Sequence, residues 1–216
     1  MTDELFQNLV LQTEYIKKSF PEISVDDPIS YDNLTIYSPT KNIIELLKFL
    51  RDDESLSFKI LIDVFGADML GIRSPRFEVI YNLLSLKLNS RLTVKVAIED
   101  GVEVPTTTEV FSAANWFERE IFDMYGIVFT NHPDPRRILT DYGFEGHPLR
   151  KDFPLTGYKE VRYDEEQKKV IYEPVKLMQE FRDFDFEMPW ESGIKKDVEE
   201  RFQNAAQVSV NAIRDK

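Results

Sequence analysis

Half of the glycines and more than a third of the prolines in this chain fall within 32 residues, Gly126 to Gly157. Eight of those 32 positions are glycine or proline, against eleven of the other 184, so regular helix or strand cannot run through the segment. Its composition is not that of a linker. It carries Ile127, Val128, Phe129, Ile138, Leu139, Tyr142, Phe144, Leu149, Phe153 and Leu155. A turn-rich stretch this apolar needs a surface to lie on. The expected organisation is a core domain over residues 1–125, an extended partner-binding tail with a small hairpin over 126–191, and a last helix or peripheral tail over 192–216.

The residues before the tail read as an α+β fold. Leu5, Leu9, Ile16 and Phe20 place an amphipathic helix over 3–20, stopped by Pro21. Short strands are expected near Ile23–Val25 and Asn33–Tyr37. Ile43, Leu47 and Leu50 give a helix over 41–51. Three β-like runs follow, Phe58–Phe65, Arg76–Leu86 and Arg91–Ile98, the last two joined at Asn89-Ser90. Leu92, Val94, Val96 and Ile98 alternate onto one face. A mostly antiparallel sheet covered by helices on one side is the economical packing. Val110, Ala114, Phe117, Ile121 and Met124 predict a helix over 109–125, capped by Thr108 and ended by Gly126. Within the tail, Val161–Tyr163 and Val170–Tyr172 suggest the hairpin. Phe181, Phe184, Phe186 and Trp190 form an aromatic strip among acidic residues, and 194–213 reads as a last amphipathic helix.

Composition narrows the chemistry. There is no cysteine, so thiolate zinc sites, cysteine-ligated iron–sulfur clusters and cysteine nucleophiles are not available on this chain. A net charge of −12 disfavours a nucleic-acid footprint. No apolar run approaches the roughly 18–20 residues of a membrane span. The start is neither a secretory signal nor an Arg-rich transit peptide, so either synthesis in the working compartment or a mature, processed sequence is expected.

Glu118, Arg119, Glu120 and Asp123, with His132 and His147 beyond them, gather carboxylates and both imidazoles into one stretch. Such groups can bind a divalent metal. Glu118 and Glu120, however, lie about 200° apart around a helix and do not converge. The better reading is that these charges pair with Arg119, Arg136, Arg137 and Arg150 and fix the loop. Neither a Gly-x-Ser-x-Gly nor a phosphate-cradling glycine motif occurs. The aromatic strip at Phe181–Trp190 suits a protein interface better than nucleic-acid stacking, since a phosphate backbone would meet its acidic neighbours.

The run Glu118-Arg119-Glu120-Ile121-Phe122-Asp123-Met124-Tyr125-Gly126, then His132-Pro133-Asp134-Pro135-Arg136-Arg137-Ile138-Leu139, resembles the signature of the C-type, 30-kilodalton subunit family of NADH–quinone oxidoreductase, respiratory complex I. Thr140-Asp141-Tyr142-Gly143-Phe144-Glu145-Gly146-His147-Pro148-Leu149-Arg150-Lys151-Asp152 continues it, as do Gly157-Tyr158, Glu173-Pro174, Gln179-Glu180-Phe181-Arg182 and Pro189-Trp190-Glu191. The resemblance covers about residues 40–191.

The resemblance implies a non-catalytic scaffold and assembly subunit in the quinone-module arm of the proton-pumping complex, bound to the large D-type, 49-kilodalton subunit. It implies no cofactor on this chain, because FMN, iron–sulfur clusters and quinone belong to other subunits. The place implied is the matrix side of a mitochondrial inner membrane or the cytoplasmic side of a bacterial one. The interface is expected to use His132, Arg136, Arg137, Ile138, Leu139, Tyr142, Phe144, Arg150, Phe181, Phe184, Phe186 and Trp190, with Glu118, Arg119, Glu120 and Asp123 as structural signature. Alternatives are an equivalent scaffold in a ferredoxin-linked quinone reductase or membrane-bound hydrogenase, and a free-standing metal-dependent hydrolase.

Overall fold

The computed structural model describes residues 2–25 and 33–179. Residues up to Glu173 form one compact unit and those from Pro174 a second. Phe181, Phe184, Phe186, Trp190 and the helix expected over 194–213 lie outside the described residues.

Helix α1 (Thr2–Ser19) is followed by β1 (Ser24–Val25) and β2 (Asn33–Tyr37), then by a 3-10 turn (Thr40–Asn42) leading into α2 (Ile43–Asp52). Strands β3 (Ile60–Asp68), β4 (Phe77–Ser85) and β5 (Ser90–Ile98) form an antiparallel meander. The sheet order is β1-β2-β5-β4-β3, and β2 alone runs parallel to its neighbour β5. The fold is α+β with a mainly antiparallel sheet, as its sequence patterning indicates.

Alternation puts Leu34 and Ile36, Leu92, Val94 and Val96, Phe77, Val79, Tyr81 and Leu83, and Val64 on one face, all buried. Among the described residues, helices cover only that face. Leu9 and Ile16 come from α1, and Ile43, Leu46, Leu47 and Leu50 from α2. Phe20 packs on Phe49 at 5.3 Å between ring centres. The Leu5 side chain lies outside the described part. On the opposite face, Asn82 Nδ2 donates to Asp63 (2.8 Å) and Thr93 Oγ1 donates to Asn82 Oδ1 (2.8 Å), a polar row across three strands.

After a short parallel pair, β6 (Val104–Pro105) with β7 (Phe129–Thr130), the most informative helix is α3 (Ala114–Tyr125). It lies across β3 at Gly66, where a Cβ would stand 2.8 Å from the Tyr125 ring; only glycine admits this approach. Gly126 ends α3 in the left-handed region (φ 77°), as expected, with its N–H on the Phe122 carbonyl. The start differs from expectation. Residues 107–113 form turns, the helix begins at Ala114, and Thr108 makes no cap. Thr106 and Thr107 turn their hydroxyls onto Glu118 instead, which holds this stretch out of helix.

Beyond β7, the chain to residue 158 has no regular structure. It ends in the expected hairpin, β8 (Lys159–Asp164) and β9 (Lys169–Pro174).

Candidate partner interface

Two residues one turn apart on α3, Arg119 and Asp123, hold the irregular segment. Asp123 is fully buried. Its Oδ2 accepts the backbone N–H groups of Ile138 (3.0 Å), Leu139 (2.8 Å) and Thr140 (2.9 Å). Its Oδ1 accepts Thr140 Oγ1 (2.6 Å) and Arg137 Nη1 (3.3 Å). Burial acts to raise the pKa of this carboxyl, but the donors outweigh it and hold it below the usual carboxylate value. Arg119 donates to the carbonyls of Arg136 (2.8 Å) and Arg137 (3.2 Å).

The segment in return caps the helix. A helix end leaves its last carbonyls without partners. Here the Asp123 carbonyl meets His147 Nδ1 (3.0 Å), and the Met124 carbonyl accepts the Leu149 N–H (3.1 Å).

A second attachment lies at the end of the sheet. Arg76 forms a bidentate pair with Asp68 (3.0 and 2.8 Å) and reaches Asp152 (2.9 and 3.1 Å). Asp68 Oδ2 also accepts the Lys151 N–H at 2.9 Å. The Arg76 guanidinium is the main reason the Asp68 carboxyl drops to about 2. Arg150 pairs with Asp100 and lies 5.0 Å from the centre of the Phe77 ring.

The charged cluster thus splits. Asp123 pairs with Arg137 as expected, but Glu118 does not pair with an arginine. It is wholly buried and accepts Thr106 Oγ1 (2.5 Å), Thr107 N–H (2.7 Å) and Thr107 Oγ1 (2.7 Å). Burial raises its pKa in spite of these donors. Glu120 is exposed on another side of α3. His132 Nδ1 accepts the Asp134 N–H at 3.1 Å, which leaves Nε2 to donate to the Asn115 carbonyl at 3.0 Å. Its Nε2 stands 3.8 Å from Glu118. These two residues, with Arg119, Phe122, Val128, Phe129 and Pro135, line a cavity of about 40 Å³. Among the described residues no three histidines or carboxylates gather as a metal site would need.

Exposure follows from this anchoring. The backbone of 137–152 is held at both ends, yet within it Tyr142 is 100% exposed and Leu139 61%; Leu155, just beyond it, is 88% exposed. Leu149 and Tyr158 are also exposed. Ile138 is half-buried, and Phe144 packs its ring 6.0 Å from that of Phe153. Arg136 is paired with Asp134 (2.7 and 2.7 Å), with most of its side chain in solvent. Arg137 turns inward and also donates to the Gly146 carbonyl at 2.9 Å.

Residues 36–159 match the family described as the 30-kilodalton subunit of respiratory-chain NADH dehydrogenase. The chain belongs to that family. It is 54% identical over 179 residues to the C-type subunit of NADH-quinone oxidoreductase from Paramagnetospirillum magneticum, covering 82% of this chain and 89% of the relative. It is 56% identical over 177 residues to one such subunit of Rhizobium meliloti, with 82% and 88% covered. The solved trypsin-resistant fragment (1–134) of Nqo5 is similar in fold, with TM-score 0.51 and 30% identity, covering 59% of this chain and 98% of the fragment. A chain of an archaeal respiratory membrane complex, the membrane-bound sulfane sulfur reductase, shares the fold at TM-score 0.59 and 20% identity, covering 83% and 98%. Family membership makes this chain a subunit of NADH–quinone oxidoreductase, respiratory complex I. No helix among the described residues is long and apolar enough to cross a membrane.

Proposed function

We propose that this chain is a scaffold subunit of the quinone-module arm, and that residues 126–191 bind the large D-type, 49-kilodalton subunit. On this reading no redox group resides on the chain: FMN, the iron–sulfur clusters and quinone are held by other subunits. The arm lies on the matrix side of a mitochondrial inner membrane or the cytoplasmic side of a bacterial one.

One observation carries the reading. Leu139 and Tyr142 are exposed on a segment whose backbone is already fixed on either side by Asp123, Arg119 and Asp68. A loop ordered beforehand loses little entropy on docking, so its apolar contacts go into affinity. Tyrosine is among the side chains most enriched at interface hot spots, and Tyr142 is fully exposed. Arg136 is placed to exchange Asp134 for a partner carboxylate, and Arg137 acts by holding the loop.

The test is a photo-reactive phenylalanine analogue at position 142 of the full chain, expressed in a host lacking its own copy of the subunit. Irradiated membranes should yield one cross-linked product containing the 49-kilodalton-type subunit. A different captured protein, or none in assembled complex, would refute the assignment.

A further inference from the structure

The hairpin β8–β9 is a two-stranded ribbon, which is marginal in water unless something packs on it. Arg162 Nε bonds Glu173 Oε1 at 3.0 Å across one face. By alternation, Val161 and Tyr163 of β8 share the other face with Val170 and Tyr172 of β9. All four are more than half exposed.

This face is continuous with the loop just described. The rings of Phe144, Phe153 and Tyr158 follow one another at 6.0 and 5.5 Å and lead into β8. The Tyr172 hydroxyl donates to Asp141, the neighbour of Tyr142 in sequence. Several nearby charges have partners within the chain. Arg162 has Glu173, Lys159 has Glu145, and Asp164 accepts the Glu166 and Gln167 N–H groups. Residues 126–173 carry nine acidic and eight basic side chains, so the face has almost no net field to attract an ionic partner.

We propose that the Val161, Tyr163, Val170 and Tyr172 face is a second anchor for the companion protein bound at Tyr142, taking an uncharged, apolar surface of that protein. The inference rests on the partner-binding reading above and adds where the second contact lies and what chemistry meets it. An apolar contact of this kind is insensitive to salt. Tyrosine suits it because the ring is buried while the hydroxyl finds an acceptor at the rim.

The experiment places the same photo-reactive analogue at position 163 and, separately, at 142, in the full chain within the assembled complex. Positions 142 and 163 should capture the same companion protein, with equal yield after a high-salt wash. Capture from 142 but not 163 overturns the hairpin inference and leaves the subunit reading intact. Failure at 142 removes the reading on which it rests. Loss of capture at 163 in high salt overturns the apolar assignment.

A second test is independent of cross-linking. Val161→Thr with Val170→Thr keeps the β-branched shape and strand preference while making the face polar. It should lower the amount of assembled complex about tenfold, because two methyl groups that would be buried against the companion become hydroxyls. Arg162→Ala, on the opposite face, should leave assembly unchanged. Equal assembly of both variants with the parent chain overturns the inference.

Discussion

Replacing Asp123 with alanine removes one acceptor from five donors: three backbone N–H groups, the Thr140 hydroxyl and Arg137. Leaving a buried donor unsatisfied costs about 1–3 kcal/mol each, but a surface segment can swing out and let water supply the acceptors. The loss is then limited to the free energy holding the loop shut, about 4 kcal/mol for a buried, multiply bonded carboxylate. That is roughly a thousandfold change in the open fraction. The core need not unfold. Ile121 and Tyr125 pack α3 on β3 at Gly66, and Asp123 lies about 200° around the helix from each of them. Hydrogen exchange on the isolated protein should show amides 138, 139 and 140 losing about three orders of magnitude of protection, while strand β4 stays protected. Binding should weaken by the fraction of loops left closed. Unchanged exchange at 138–140, or normal assembly of the complex with exchange increased, would refute the argument that this carboxylate prepares the loop for docking.

Asp68 has its pKa lowered to about 2 from 3.8, so it contributes stability above 3.8 that is lost as pH falls through 2; the shift corresponds to roughly 2 kcal/mol. The Lys151 amide should therefore exchange faster as pH drops across that window, relative to amides elsewhere in the protein, and no such change would exclude the latch. Glu118 has the opposite sign. Its carboxyl is raised above 4.5, so protonation favours the folded state, and melting temperature should climb as pH is lowered toward 4.5. Glu118→Gln should abolish that climb, and a Gln variant with the parent pH profile would contradict it. Gly66→Ala forces a methyl group to within 2.8 Å of the Tyr125 ring and should cost about 1–3 kcal/mol, read as a lower melting temperature; an unchanged value would mean that α3 is free to shift away from β3.

Much of the core was legible because it depends on period and local turn chemistry. The alternation of Leu92, Val94, Val96 and Ile98 gave strand and inward face together, and Gly126 marked the helix end that its positive φ requires. What failed was long-range. Thr108 looks like a helix cap, but the helix start is decided by Glu118 drawing Thr106 and Thr107 toward it. Glu118 read as an arginine partner because nothing local says that two hydroxyls and a backbone N–H will surround it. Asp123 was legible as an arginine partner fixing the loop, but its backbone donors at 138–140 have no sequence mark. The Asp68–Arg76–Asp152 attachment spans 84 residues of sequence and had no local trace.

The central claim, that this chain positions a companion and performs no chemistry itself, is tested most directly by two numbers from the same membranes. Carry Leu139→Ser with Tyr142→Ser in the full chain, quantify assembled complex on native gels, and measure NADH–quinone reductase rate per assembled complex. Assembly should fall severalfold or more while the rate per complex stays at the parent value. Normal assembly with a lost rate per complex would contradict the scaffold account and move these residues into the reaction.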